Sequence, residues 1–102
     1  MIRLWIDDLR APPDATWHWA KTSADALLCL KHFASDITEL SLDHDLGGDD
    51  TVMPVVKEIE ARAFHGRGDP VVWQVHSANP VGRKNIEAAM RSAERYWGRT
   101  GT

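Results

Sequence analysis

Three short apolar runs in this chain each stop at ionisable residues. Ile2–Ile6 runs into Asp7-Asp8, Glu39–Leu42 into Asp43-His44-Asp45, and Val71–Val75 into His76-Ser77. Ile2–Ile6 and Val71–Val75 are rich in β-branched and aromatic residues and read as strands, and Glu39–Leu42 reads as another. Between and after them, apolar residues recur at helical spacing. Strands that alternate with helices have few packing solutions, and the predicted order β-β-α-β-α-β-α points to a small α/β domain with a mostly parallel sheet.

The elements can be placed one by one. Asp7-Asp8 ends the first strand, and Pro12-Pro13 forbids a helix directly behind it. Thr16–Ala20 alternates, with Trp17 and Trp19 on one face, as a short second strand. Thr22 or Ser23 caps a helix whose apolar stripe is Ala26, Leu27, Leu30, Phe33 and Ala34. After the Glu39–Leu42 strand and a Gly-Asp loop, Thr51 caps a second helix with Pro54 in its first turn, burying Val52, Val55, Val56, Ile59 and Ala63. Residues 65–70 form a loop by composition. Asn79-Pro80 starts the last helix, whose inner face is Ile86, Ala89, Met90, Ala93 and Trp97; Gly98 ends it and Arg99–Thr102 frays.

At 102 residues the chain is expected to be a single domain, 1–102. Its 43% hydrophobic and 26% charged residues argue against disorder. No apolar run is long enough for a membrane helix, and nothing resembles a leader, so no membrane partner is expected. The single Cys29 excludes an internal disulfide framework and a cysteine zinc cluster, and it suits a reducing cytoplasm, the expected location. Net charge is −3, yet the last helix is basic, with Arg83, Lys84, Arg91, Arg95 and Arg99 against Glu87 and Glu94. A solvated helix face accounts for that, and with no helix-turn-helix or zinc pattern, sequence-specific DNA binding is not expected. A sheet with so few strands has edges that a homodimer can cover.

Ligands of open parallel sheets bind outside the carboxyl ends of the strands, where the three polar clusters converge. Carboxylates gathered there repel, and a bound cation or raised pKa values relieve them. Oxygen-rich ligands favour Mg²⁺ or Mn²⁺, and a histidine ligand, His44 or His76, tilts the choice toward Mn²⁺ or a zinc-like ion. Asp7, Asp8, Asp43 and Asp45 are the candidate metal ligands, although Asp45-Leu46-Gly47 also reads as an ordinary turn. Asp49 and Asp50 read as turn formers or caps, and His18, His32 and His65 as structural or solvated. The segment from His76 to Asn85 crosses from a strand end into a helix N-terminus, which favours an anion. There Ser77, Asn79 and Arg83 can bind phosphate and Gly82 allows close approach; an ordinary capped helix explains the same residues.

Ile6-Asp7-Asp8, Leu42-Asp43 and a strand-ending Ser resemble response-regulator receiver domains. More specifically, Asp7-Asp8-Leu9-Arg10-Ala11-Pro12, Ser41–Gly47 and Val75–Ile86 look like the cyclic-phosphate processing receiver-like family, over nearly the whole chain. The resemblance implies a small receiver-like (flavodoxin-like) fold of about four mostly parallel strands and three helices, truncated relative to a full receiver. It also implies an acidic pair that binds Mg²⁺, a strand Asp that accepts phosphate and a Ser that senses it. The chain departs from ordinary receivers in its Pro-containing loop, where the first helix would be, and in having no fifth strand. The receiver lysine thus has no matching position, and nothing places Lys84 at the site.

The expected function is a metal-dependent phosphoesterase acting on a cyclic phosphate, nucleotide or RNA-end derived. Asp7, Asp8 and Asp43 hold a divalent ion that polarises the phosphate, with Asp43 also open to a role as phosphoacceptor. His44 and His76 serve as base and acid, and Ser77, Asn79 and Arg83 grip the phosphate oxygens. The alternatives are a non-catalytic module that sequesters a phosphorylated or cyclic nucleotide, and a degenerate phosphoacceptor receiver.

Overall fold

The computed structural model describes residues 1–100. They form β1 (Ile2–Ile6), β2 (Trp17–Ala20), α1 (Ser23–Phe33), a 3-10 turn over Ala34–Asp36, β3 (Ile37–Leu42), α2 (Met53–Phe64), β4 (Val72–Val75) and α3 (Pro80–Thr100). The strands make one sheet in the order β2-β1-β3-β4, and every neighbouring pair is parallel. The chain is a small receiver-like α/β domain of four strands and three helices.

Register and the two-residue side-chain period sort the sheet into two unlike faces. On one, Leu4 and Leu40 lie side by side, as do Ile6 and Leu42. These four are essentially inaccessible and join one cluster with buried residues of all three helices, among them Leu30, Val55, Val56, Ile86 and Met90. Each such side chain contributes about 1.5–3 kcal/mol by leaving water, so this face holds the core. The other face reads Trp17-Arg3-Glu39-Val72 in one row and Trp19-Trp5-Ser41-Gln74 in the next. No described helix covers it. The connection from β1 to β2 lies against it instead, tied by Trp5 Nε1 donating to the Arg10 carbonyl at 2.8 Å and by Arg3 donating to Thr16 Oγ1 at 2.8 Å.

Several boundaries differ from those expected. β3 begins at Ile37, because Ile37 is buried and pairs beside Ile2. Phe33 leaves the core, 48% exposed, since the chain tightens into a 3-10 turn immediately after it. Val52, not Thr51, is the N-cap of α2, although Thr51 Oγ1 accepts from Met53 N at 3.3 Å. Thr51 is engaged in a bridge with Asp45, and Val52 N–H donates to the His44 carbonyl, so the chain turns one residue later. Thr22 caps α1, accepting from Asp25 N at 3.0 Å. Asp50 works across space on that same helix, accepting from Ser23 N and Ser23 Oγ at 2.9 and 2.5 Å. Gly98 does not stop α3, which continues to Thr100 with Trp97 anchored in the core. A helical glycine costs only about 1 kcal/mol. The fraying expected at residues 101–102 lies outside the described residues.

Candidate functional site

Asp7 and Asp43 follow adjacent parallel strands, so the sheet itself sets them side by side. Asp7 N–H donates to the Ala20 carbonyl at 3.1 Å and Asp43 N–H to the Ile6 carbonyl at 3.0 Å, extending the ladder one residue past each strand. Asp7 is buried, and its Oδ1 accepts the N–H groups of Leu9 and Arg10 at 2.9 and 2.8 Å. Asp8 completes the group, and one carboxylate oxygen from each of Asp7, Asp8 and Asp43 lies within 4.8 Å of the others. Gly47 is what allows Asp8 its place. Its φ is +91°, and a Cβ there would stand 3.1 Å from Asp8 Oδ2, so both the turn and the carboxylate require glycine.

The three acids differ electrostatically. Burial works against ionising Asp7, but the N–H groups of Arg10 and Leu9, followed by His76, outweigh it and hold its carboxyl below the ordinary value. Asp43 is pushed up, first by burial and then by the neighbouring Asp7 charge, with Ser77 only partly offsetting this. Two carboxylates this close, one ionised and one resisting ionisation, are the arrangement a divalent cation relieves. The donors are all oxygen, which fits Mg²⁺ or Mn²⁺.

His76 lies beneath this group. Its ring stacks on Trp5 with centroids 4.1 Å apart and planes 9° from parallel. Nε2 is 3.0 Å from Asp7 Oδ2, and Nδ1 is 2.7 Å from Ser41 Oγ. Gln74 Nε2 donates to the same Ser41 oxygen at 3.1 Å. An ionised Asp7 oxygen only accepts, so Nε2 carries the proton and donates to it; in the neutral ring Nδ1 is then bare and accepts from Ser41 Oγ. Burial lowers the His76 pKa, opposed by Asp7, which keeps the ring neutral and consistent with that chain of bonds. Trp19 Nε1 fixes the neighbouring main chain, donating to the Asp7 carbonyl at 2.7 Å.

The turn from β4 to α3 forms the other side. Ser77 Oγ accepts from Asn79 N at 3.1 Å, and Asn79 Oδ1 accepts from Gly82 N at 3.0 Å, capping the helix as expected. Asn79 Nδ2 also donates to Asp45 Oδ2 at 3.2 Å, joining this turn to the loop after β3. Asp45 is therefore held by His44 Nδ1 at 3.1 Å and by Asn79, which lower its pKa, and it stands apart from the three-acid group. His44 is turned away from the acids and against α3. A Cβ on Gly82 would fall 2.4 Å from His44 Cγ, so the close approach that Gly82 permits is that of a histidine ring. Gly82→Ala is expected to expel that ring and destabilise the protein by about 1–3 kcal/mol. Denaturant unfolding checks this. The added Cβ would also stand 2.7 Å from His44 Cβ, so a Gly82→Ala, His44→Gly double variant should recover more of the loss than Gly82→Ala, His44→Ala.

Of the residues singled out in the sequence, Asp7, Asp8, Asp43, Asp45, His76, Ser77 and Asn79 line one cleft at the carboxyl edge of the sheet. His44 and Arg83 do not line it. Arg83 is drawn to the open side of β4, where its NH1 donates to the carbonyls of Val75 and Ser77 at 3.1 and 3.3 Å. Sequence reasoning missed Arg10, the one Arg or Lys among the described residues lining that cleft, with NH1 3.5 Å from the His76 carbonyl. It also missed Ser41 and Gln74. The signal available was that each is a polar residue set between apolar neighbours, Ser41 between Leu40 and Leu42 and Gln74 between Trp73 and Val75.

A parallel α/β sheet with an acidic trio at its carboxyl edge, and a hydroxyl at the end of the next strand, defines a receiver-like domain. The chain matches the cyclic-phosphate processing receiver domain over residues 2–92 and belongs to that family. No curated protein and no solved structure matches it. Among the described residues, no helix is long and apolar enough to cross a membrane.

Proposed function

We propose that this domain is a metal-dependent phosphoesterase that opens a cyclic phosphate, from a cyclic nucleotide or an RNA end, at the carboxyl edge of its sheet. The observation carrying this reading is the convergence of Asp7, Asp8 and Asp43 in a cleft also lined by Arg10, Ser77 and Asn79. It offers acids for a cation beside donors for a phosphate. A divalent cation held by the three acids would supply Lewis-acid polarisation of a phosphoryl oxygen. Arg10, Ser77 and Asn79 orient the nonbridging oxygens. Arg83, bonded to the Ser77 carbonyl, positions that residue.

Ring opening adds one water. A bond forms from the water oxygen to phosphorus, the bond to one ring ester oxygen breaks, water gives up a proton and the departing oxygen takes one. His76 lines the cleft and is assigned the proton transfer. His44, bonded to Asp45, is a positioning residue. A second reading, a non-catalytic module that sequesters a phosphorylated or cyclic nucleotide, is favoured by one observation: both His76 ring nitrogens already have partners.

³¹P NMR with cyclic mono- and dinucleotides and 2′,3′-cyclic ends, with Mg²⁺ or Mn²⁺ and then with chelator, separates the two. A phosphomonoester that forms only with metal, and not in Asp43→Asn, is the expected result. Broadened ligand resonances without product select the binding module. Unchanged turnover in His76→Ala overturns the proton-transfer assignment.

A further inference from the structure

β4 is an edge strand. It pairs with β3 on one side, and among the described residues no strand lies on the other. His76 N–H donates to the Leu42 carbonyl at 3.0 Å. Main-chain groups alternate in direction along a strand, so Gln74 and Val72 also face β3, whereas Val71, Trp73 and Val75 direct theirs outward. Arg83 confirms the phase by donating to the Val75 carbonyl from outside at 3.1 Å. Val72 beside it is 69% exposed.

The helix flanking this edge carries charges in a regular order. Arg83, Glu87, Arg91 and Glu94 border the groove between α3 and β4. Glu94 accepts from Trp73 Nε1 at 3.2 Å, and the Arg91 guanidinium lies 5.7 Å from the Trp73 ring centroid. The row reads plus, minus, plus, minus from the Val75 end toward the Trp73 end.

We infer that this edge is the interface of a homodimer, in which β4 strands of two copies pair antiparallel about a two-fold axis. Such an axis at Trp73 sets Trp73 opposite its counterpart and Val71 opposite Val75. Pairing there requires Arg83 to give up the Val75 carbonyl it holds at 3.1 Å, which frees its guanidinium for the second copy. The same rotation reverses the charged row. Arg83 then faces Glu94 and Glu87 faces Arg91, so every charge meets its opposite. A nucleic-acid backbone would be repelled by both glutamates. Charges that merely guard an edge need no such order, whereas a second copy of this chain matches it at each position.

Sedimentation equilibrium of the full chain tests this. Twice the chain mass at about 100 µM is expected for a specific pair of this kind. Glu87→Arg sets Arg against Arg91, and Arg91→Glu sets Glu against Glu87; each is expected to weaken association at least about tenfold. Combining the two reverses both charges and should restore the dimer, with circular dichroism showing that each variant is folded. A wild-type monomer at that concentration overturns the inference, and so does a double variant no tighter than the singles.

Discussion

Adding Mg²⁺ or Mn²⁺ to chelator-treated protein is expected to raise its Tm by about 10–20 °C at one hundred times Kd. The stabilisation at that ratio is about 2.7 kcal/mol, and a domain of this size moves about 4–8 °C per kcal/mol. Asp43→Asn should lose most of the shift, because it removes one of the three converging carboxylates. The metal-free protein supplies the pH signature. Asp43 has its pKa raised by burial and by Asp7, so its ionised form destabilises the fold at neutral pH. That penalty fades as pH falls through the raised value toward the unfolded one, about 4. Asp7 is lowered, so its stabilisation holds above about 4 and is lost as pH falls through its folded value. His76 is also lowered, so its contribution declines from about pH 6.5 downward. The difference in Tm between wild type and Asp43→Asn in chelator isolates the first of these. The variant should be the more stable at neutral pH, with the gap closing below about pH 4. Metal reverses the trend, since binding needs ionised carboxylates and its Tm gain shrinks in acid. A Tm indifferent to either metal at neutral pH would remove the metal site.

Much of this was legible in the sequence because it follows from periodicity. Ile6-Asp7, Leu42-Asp43 and Val75-His76 each mark where an apolar strand ends, and a parallel sheet sends all such ends to one edge. What periodicity cannot give is where a side chain turns once it leaves the strand. His44 and His76 looked equivalent as strand-end histidines. The free space over Gly82 takes the His44 ring, while Trp5 and Ser41 take the His76 ring. Arg83 looked like a phosphate fork at a helix start, but the open edge of β4 offers it unpaired carbonyls nearer at hand. The bare second face was also hidden. It depends on which strands neighbour which, and Trp5, Ser41 and Gln74 become one row only once β1, β3 and β4 are in register.

That row explains why Trp5→Ala is expected to be the most damaging single substitution near the site, costing about 3–5 kcal/mol, much of a domain's usual 5–15 kcal/mol. Trp5 is 7% exposed and does three things at once. Its ring packs edge-on against Trp17 at 5.6 Å, it stacks on His76, and its N–H holds the Arg10 carbonyl. The last contact matters because the chain from Asp7 to Thr16 contains no helix to order it. Indole N–H groups supply that order, Trp5 at Arg10 and Trp19 at Asp7. Trp5→Phe separates the roles. It keeps an aromatic ring against His76 but leaves the Arg10 carbonyl without its donor, an expected loss of about 1–3 kcal/mol. If the indole bond orders the acidic loop, Trp5→Phe also needs more Mg²⁺ or Mn²⁺ to reach half of its Tm shift. A Phe variant that is destabilised yet binds metal as tightly as wild type would show that Trp5 supports the fold alone, leaving Asp7's own bonds to Leu9 and Arg10 to hold the loop.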